Sequence, residues 1–134
     1  MSNVAWDIQS AIYTLLTNVT PAIAAGGVHA PAGPDVAFPH IEIGDSHVVA
    51  DDVQSSHGGD EFITLHVWSR PGSGLSFEEV KRISAAVKTA LHGVSIVGDT
   101  LSYGMAWVQS QRFIRDPDGA TLHGTLDVRV SHYS

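Results

Sequence analysis

Ile63, Leu65 and Val67 alternate with Phe62, Thr64, His66 and Trp68. This two-residue period in β-favouring side chains predicts a strand over 61–69 with one apolar and one polar-aromatic face. The period changes after Pro71, Gly72 and Gly74. Phe77, Val80, Ile83, Val87 and Leu91 then recur at helical spacing, leaving Glu78, Lys81, Arg82 and Lys88 on the other side, so a helix is predicted over 77–92. Ser76 followed by Glu79 reads as a capping box, worth about 1 kcal/mol at the helix start. His92-Gly93 supplies a cation and a stop at its end.

The flanking segments follow the same logic. Ala5, Ile8, Ile12, Leu15 and Val19 form a helical stripe that Pro21 closes, predicting a helix from about Val4 to Thr17. Residues 21–39, rich in proline and glycine, read as a loop in which Val28 is the only candidate for a short strand. Ile41 and Ile43 alternate with polar neighbours in HIEIGDSHVV and predict the next strand. The polar, acidic segment ADDVQSSHGGD reads as a long loop or hairpin tip at about 48–60. LSYGMAWVQSQRFIRD and ATLHGTLDVRVSHY flank Pro117-Asp118-Gly119, a turn that makes them a terminal hairpin. The order α-β-β-α-β-β, without repeat or linker, predicts one α+β domain over 1–134. Its two helices are expected on one face of an antiparallel or mixed sheet.

Composition narrows the class. The apolar fraction of 43% in 134 residues suits an ordinary globular core. With no cysteine, neither disulfides nor thiolate chemistry contributes. No basic leader precedes the first helix and no apolar run approaches the roughly 20 residues of a membrane span, so a soluble, non-secreted protein is expected. The net charge of -7 is unevenly placed: residues 1–69 carry eight acids and no Lys or Arg, while 70–134 carry seven cations and six acids. A surface of that sign repels phosphate and argues against a DNA-gripping domain, although DNA can slide past it. A solvated acidic surface accounts for the same charges.

Candidate chemistry is thin. Eight histidines invite a metal hypothesis, above all His47 and His57 around Asp51 and Asp52, because imidazole and carboxylate suit zinc. Their spacing matches no HExxH, EF-hand or paired-histidine pattern, so no metal or cofactor is expected. His66 and His123 fall in predicted strands and read as sheet residues. Ser73, Ser76 and Ser84 lack a nucleophile-elbow context. RPGSG lacks the GK[ST] ending of a phosphate loop and reads as a strand-to-helix turn. Trp6, Trp68 and Trp107 read as core or boundary aromatics.

Five segments carry a family resemblance: AIYTLLTNV, AFPHIEIGD, ITLHVWSRPG, FEEVKRISAAVKTALHG and QRFIRDPDGATLHGTLDVRV. In their order and spacing, and above all in FPHIEIG and LHVWSR, the chain resembles the tail-completion or tail-terminator proteins of long-tailed, siphovirus-like bacteriophages and gene transfer agents. The resemblance spans nearly the whole chain. It implies a structural virion protein without enzymatic activity. Such a protein forms a ring, usually of six subunits, at the head-proximal end of the tail tube. It ends tube growth and meets the head's connector or stopper, and DNA passes through without specific binding. Assembly is expected in the host cytoplasm, with no membrane contact.

That role rests on surfaces. Candidate interface or lumen residues are Asp45, Asp51, Asp52, Gln54, Asp60 and Glu61, in or beside the polar segment, and Arg70 in the turn to the second helix. A compact chain of this length has a radius of gyration of roughly 14 Å, equivalent to a sphere about 36 Å across. By the same reckoning three touching spheres leave a hole of about 6 Å, four about 15 Å and six about 36 Å. Duplex DNA needs five or more subunits, and the resemblance selects six. In dilute solution the chain can remain a monomer if closure needs the tube end as a template. The alternatives are another junction ring, a stopper or adaptor, and a small-ligand or metal-binding enzyme. An enzyme would show convergent polar groups in a concave pocket.

Overall fold

The computed structural model describes residues 4–20, 23–53, 56–72, 74–99 and 103–133, with the backbone alone at 51–53, 56, 57 and 103. Its elements run α1 (Val4–Thr17), β1 (Val28–His29), β2 (His40–Val53), β3 (Ser56–Ser69), α2 (Glu78–Leu91), β4 (Tyr103–Arg115) and β5 (Leu122–Tyr133). The α+β class holds. The added element is β1, two residues at Val28 that pair parallel with Ile41 and Glu42 and make the sheet mixed.

The sheet order is β1-β2-β3-β5-β4. β5, last in the chain, inserts between β3 and β4, and α2 crosses over it. β3 pairs antiparallel with both β2 and β5, and β5 with β4. The segment expected as a long loop or hairpin tip at 48–60 is paired strand as far as Val53 and again from Ser56. Turn-forming composition there gave way to cross-strand pairing, because Gly58 and Gly59 also pair with Tyr133 and His132 of β5.

Each strand is divided by its pleat. Ile41, Ile43, Ile63, Leu65, Val67, Ala106, Val108, Leu122, Leu126, Val128 and Val130 form one buried cluster with Ile8, Ile12 and Leu16 of α1 and Val80, Ile83, Val87 and Leu91 of α2. Burying such a side chain contributes about 1.5–3 kcal/mol, so this layer accounts for most of the driving force. On α1 the inner positions fall four apart at Ile8, Ile12 and Leu16. Leu16 therefore replaces the expected Leu15, which packs only at the margin, and Val19 lies past the helix end. α2 meets β5 closely: a Cβ at Gly124 would sit 3.1 Å from Ser84 Oγ and 3.2 Å from Val80 Cγ2.

Two terminal devices differ from expectation. Ser76 Oγ accepts from the Glu78 N–H at 3.2 Å, but Glu79 does not return to close a capping box. Its Oε1 instead accepts from Ser69 Oγ at 2.6 Å, tying the helix start to the end of β3. His92 turns its ring away from the helix end. Its Nδ1 accepts from the Val108 N–H at 3.0 Å and caps one group on the edge of β4, while Gly93 takes the positive φ of 72° that ends the helix.

A Cβ on Gly26 would fall inside the shell of the Ala37 carbonyl oxygen and within 2.8 Å of the Pro39 carbonyl oxygen, whereas a Cβ on Gly33 meets nothing within 4 Å. Gly26→Ala is expected to destabilise the fold by about 3 kcal/mol or more, because both obstacles are backbone. Gly33→Ala should lie within about 0.5 kcal/mol of the parent. Urea unfolding of the two variants checks the contrast; equal midpoints would show that the loop is not clamped against β2.

Candidate functional site

With both helices on one side, the opposite face of the sheet carries no helix, only the proline-rich loop over its Trp68 end, and displays the other half of every alternation. Its cross-strand rows are Trp68, His123 and Ile114; Glu42, His66, Thr125 and Arg112; Thr64, Asp127 and Ser110; and Phe62, Arg129 and Trp107. Its carboxylates are engaged by neighbouring groups, while Arg129 Nε is buried without a hydrogen bond among the described residues. Asp127 accepts from Ser110 Oγ at 2.7 Å and Thr64 Oγ1 at 3.4 Å. Asp60 accepts from Ser131 Oγ at 2.7 Å and faces Arg129 Nε at 3.7 Å, an ion pair beyond hydrogen-bond length. Glu42 accepts from Trp68 Nε1 at 3.3 Å and from the Ala32 N–H at 3.0 Å, pinning the proline-rich loop to the sheet.

One end of this face carries an aromatic stack that the sequence reading left as ordinary sheet positions. The Trp68 and His123 rings lie 3.8 Å apart and 6° from parallel, and His123 Nε2 shares a 2.7 Å hydrogen bond with His66 Nδ1. The signal was present in His66 and Trp68 two residues apart, but only the β3–β5 register brings His123 across. At the other end His47 stacks on Phe62, centroids 5.0 Å apart. A shallow cavity of about 370 Å³ lies beside it, lined by Asp45, Thr64, Ser110 and Asp127 among others. Among the described residues no three His, Asp or Glu side chains gather as a metal set, and no nucleophile is paired with a base and an orienting acid.

The sequence-predicted residues disperse. Asp45 is exposed, in the bulge between Ile43 and Ser46. Asp51 and Asp52 pair with Gly58 and His57 at the hairpin end, and Gln54 lies outside the described residues. Asp60 is on the free face, already engaged with Ser131 and Arg129. Glu61 departs from the surface position expected of it: it is 1% exposed and faces the core side with Ile63. Burial pushes its carboxyl above the usual range, opposed by a hydrogen bond from Ser46. Arg70 is held within the chain, its guanidinium 4.2 Å from the Phe38 ring centre and its Nε donating to Thr121 Oγ1 at 2.9 Å.

The arrangement is an extended surface suited to contact rather than turnover, and comparison with known proteins agrees. Residues 10–133 match the family described as Tail completion protein gp17. The chain belongs to this family. Tail completion protein gp17 of Bacillus phage SPP1 is 29% identical over 99 residues, 74% of this chain and 71% of that protein. The solved structure of bacteriophage SPP1 gp17 aligns with a TM-score of 0.61 at 26% identity, over 96% of this chain and 90% of that one. A chain in the virion of a native gene transfer agent particle aligns over the full length of both, with a TM-score of 0.83 at 21% identity, a likeness of fold. As a tail completion protein the chain is a structural component of a phage-type tail, not an enzyme.

Burial leads a set of histidine shifts with one sign. It lowers His123, helped by His66; it lowers His132 against Asp60; and it lowers His40 against the Ala37 carbonyl. For each, the unfolded chain binds its proton near the ordinary value of about 6.5 while the folded chain does not. Their contribution to stability is therefore complete above that value and lost as pH falls toward the folded values. Glu61 works in the opposite sense, since its folded value is raised: burying its carboxylate costs stability at neutral pH, and the cost is relieved as pH falls. In the window at and below the ordinary histidine value, three histidines act against one carboxylate, and the net sense expected on acidification is a loss. Thermal midpoints should drop across that window, and His132→Leu should flatten the drop; a midpoint that rises on acidification would contradict the assignment.

Proposed function

We propose that this chain forms a ring that closes the head-proximal end of a tail tube, stops its polymerisation and joins it to the connector on the head. The reading is supported by an extended sheet face whose carboxylates are already engaged by neighbouring groups, in a member of the tail completion family. A tube grows by one repeated head-to-tail contact and stops only when its end is covered by a subunit that does not present that contact again. The required protein is one with two unlike axial surfaces and a bore.

Six copies fit the bore by the packing argument above, and DNA slides through without adhesion. Asp51 and Asp52 bring acids without cations to the hairpin end of β2, and that end is assigned to the channel or its rim. The hairpin also supplies the contact assigned to the polar segment as a whole.

Cryo-electron microscopy of particles should place six copies around the tail axis next to the head. A trimer, a tetramer or an off-axis position would refute the ring. Particles assembled without the chain should carry overlong tubes that do not join heads. Tubes of normal length that fail only to join would transfer the role to a stopper or adaptor. Asp51→Lys combined with Asp52→Lys should leave tail length normal while reducing DNA transfer at least tenfold, roughly the effect of 1.4 kcal/mol on a rate-limiting barrier. Unchanged transfer would remove the hairpin end from the channel.

A further inference from the structure

The sheet ends in two bare strand edges of opposite character. On β2, β1 covers only Ile41 and Glu42, and among the described residues nothing pairs with that edge from Ser46 to Val53. On β4, Val94 and Ile96 bond to Ala106 and Gly104, and His92 caps Val108. Beyond that point no described residue pairs with the outer edge through Arg115. An uncovered strand edge is a template for another strand, and proteins that stay separate blunt it with prolines, lysines or inward charges. Neither open stretch holds a proline or a lysine, and the β2 edge instead exposes Val48 and Val49 at 52% and 51%.

We propose that copies of this chain join edge to edge, the open half of β2 in one copy pairing antiparallel with the open half of β4 in the next. The occupant of each edge is thus a second copy, and the inference rests on the ring reading above, whose subunit contact it specifies.

Three observations carry it. The first is direction. β2, β3, β5 and β4 alternate antiparallel, so the two edges of this four-strand unit run in opposite senses. Copies related by simple rotation then meet antiparallel without inverting a subunit, and the contact is heterologous, as a ring requires. The second is charge. The bulge of β2 carries Asp45 and the strand beyond it no Lys or Arg, while β4 carries Arg112 and Arg115 and no acid. Arg112 and Asp45 enter no ion pair among the described residues. Two β2 edges or two β4 edges would repel.

The third is stagger. Val49 is level with Asp60, Ser131 and Met105, whereas the open half of β4 is centred near Arg112. Pairing the open halves offsets neighbours by about six residues, roughly 20 Å at 3.4 Å per residue. Four strands about 4.8 Å apart span roughly 19 Å. That offset per width tilts the strands by about 45° to the ring axis, at the upper end of the range in which closed sheets form. One-residue bulges at Ile43/Ser46 and at Val108/Ser110 bend both outer strands in the manner that closure needs.

The chain's lack of cysteine makes the test clean. Val49, Ser110, Arg112 and Ile114 all lie on the helix-free face, by their registers with Asp60, Asp127, Thr125 and His123. Val49→Cys is combined in turn with Ser110→Cys, Arg112→Cys or Ile114→Cys in the full-length chain. Each is oxidised in assembled particles and as concentrated protein, then run on non-reducing gels. At least one double variant should give a ladder of covalent multimers in particles, closing at the ring size, while every single variant stays monomeric. Dimers from a single variant would reveal like-edge pairing and overturn the proposal. A ring seen by microscopy in which no double variant cross-links would overturn it while leaving the ring standing. The absence of any ring would defeat the functional reading and this inference together.

Discussion

β3 and β5 pair for twelve residues without a slip, and the rest of the molecule takes its position from that register. The partners are far apart in the chain: Thr64 and Asp127, which share a hydrogen bond across the pair, are separated by 63 residues. Closing so long a loop costs entropy before any contact is made. The return comes on one face, where Ile63, Leu65 and Val67 meet Val128, Leu126 and Gly124 beneath the helices. A one-residue slip would turn Thr64, His66 and Trp68 into the core and strand the leucines in water. The same register therefore settles what the helices cover and what the free face displays.

Local pattern was enough for the elements whose partners do not alter their spacing. Helical recurrence located α1 and α2, and alternation assigned the two faces of 61–69. Glu61 shows where a reading by residue type misled. Continuing the Ile63, Leu65, Val67 alternation one step back points Glu61 inward, but its charge suggested the surface. The position of β5 between β3 and β4 was not legible, because pairing over such a separation leaves no local trace. Nor were the roles of Glu79 and His92 at the ends of α2, although Ser76 does accept from the first turn as its residue type predicts. Ser69 and the Val108 N–H compete for these groups, and both arrive only with the tertiary fold.

Buried polar groups concentrate toward the hairpin end of the core side. Glu61 Oε1 and both ring nitrogens of His132 lack hydrogen-bond partners, and each such group carries a desolvation cost of about 1–3 kcal/mol. On the opposite sheet face Asp60, Asp127 and Glu42 each accept two or more polar contacts from neighbouring side chains or backbone, and Arg129 Nε is the buried atom there without a hydrogen bond among the described residues. A surface whose carboxylates are so engaged offers little to a passing phosphate chain and needs no ordered partner.

Edge pairing has a consequence for how one small domain can serve three partners. If both lateral edges are consumed by neighbouring copies, only the strand ends remain to meet anything along the axis. They differ chemically. One end holds the β4–β5 turn, where Asp118 accepts from the Ala120 and Thr121 N–H groups and lies 3.8 Å from Arg70, a closed and internally bonded surface. The other holds the acidic β2–β3 hairpin. A subunit with like ends would let the tube continue from either side; unlike ends allow one to accept the last tube ring while the other refuses it. In the proposed ring, termination thus follows from an even number of alternating strands, which uses up the edges, and from the unlike chemistry of the two ends they leave exposed.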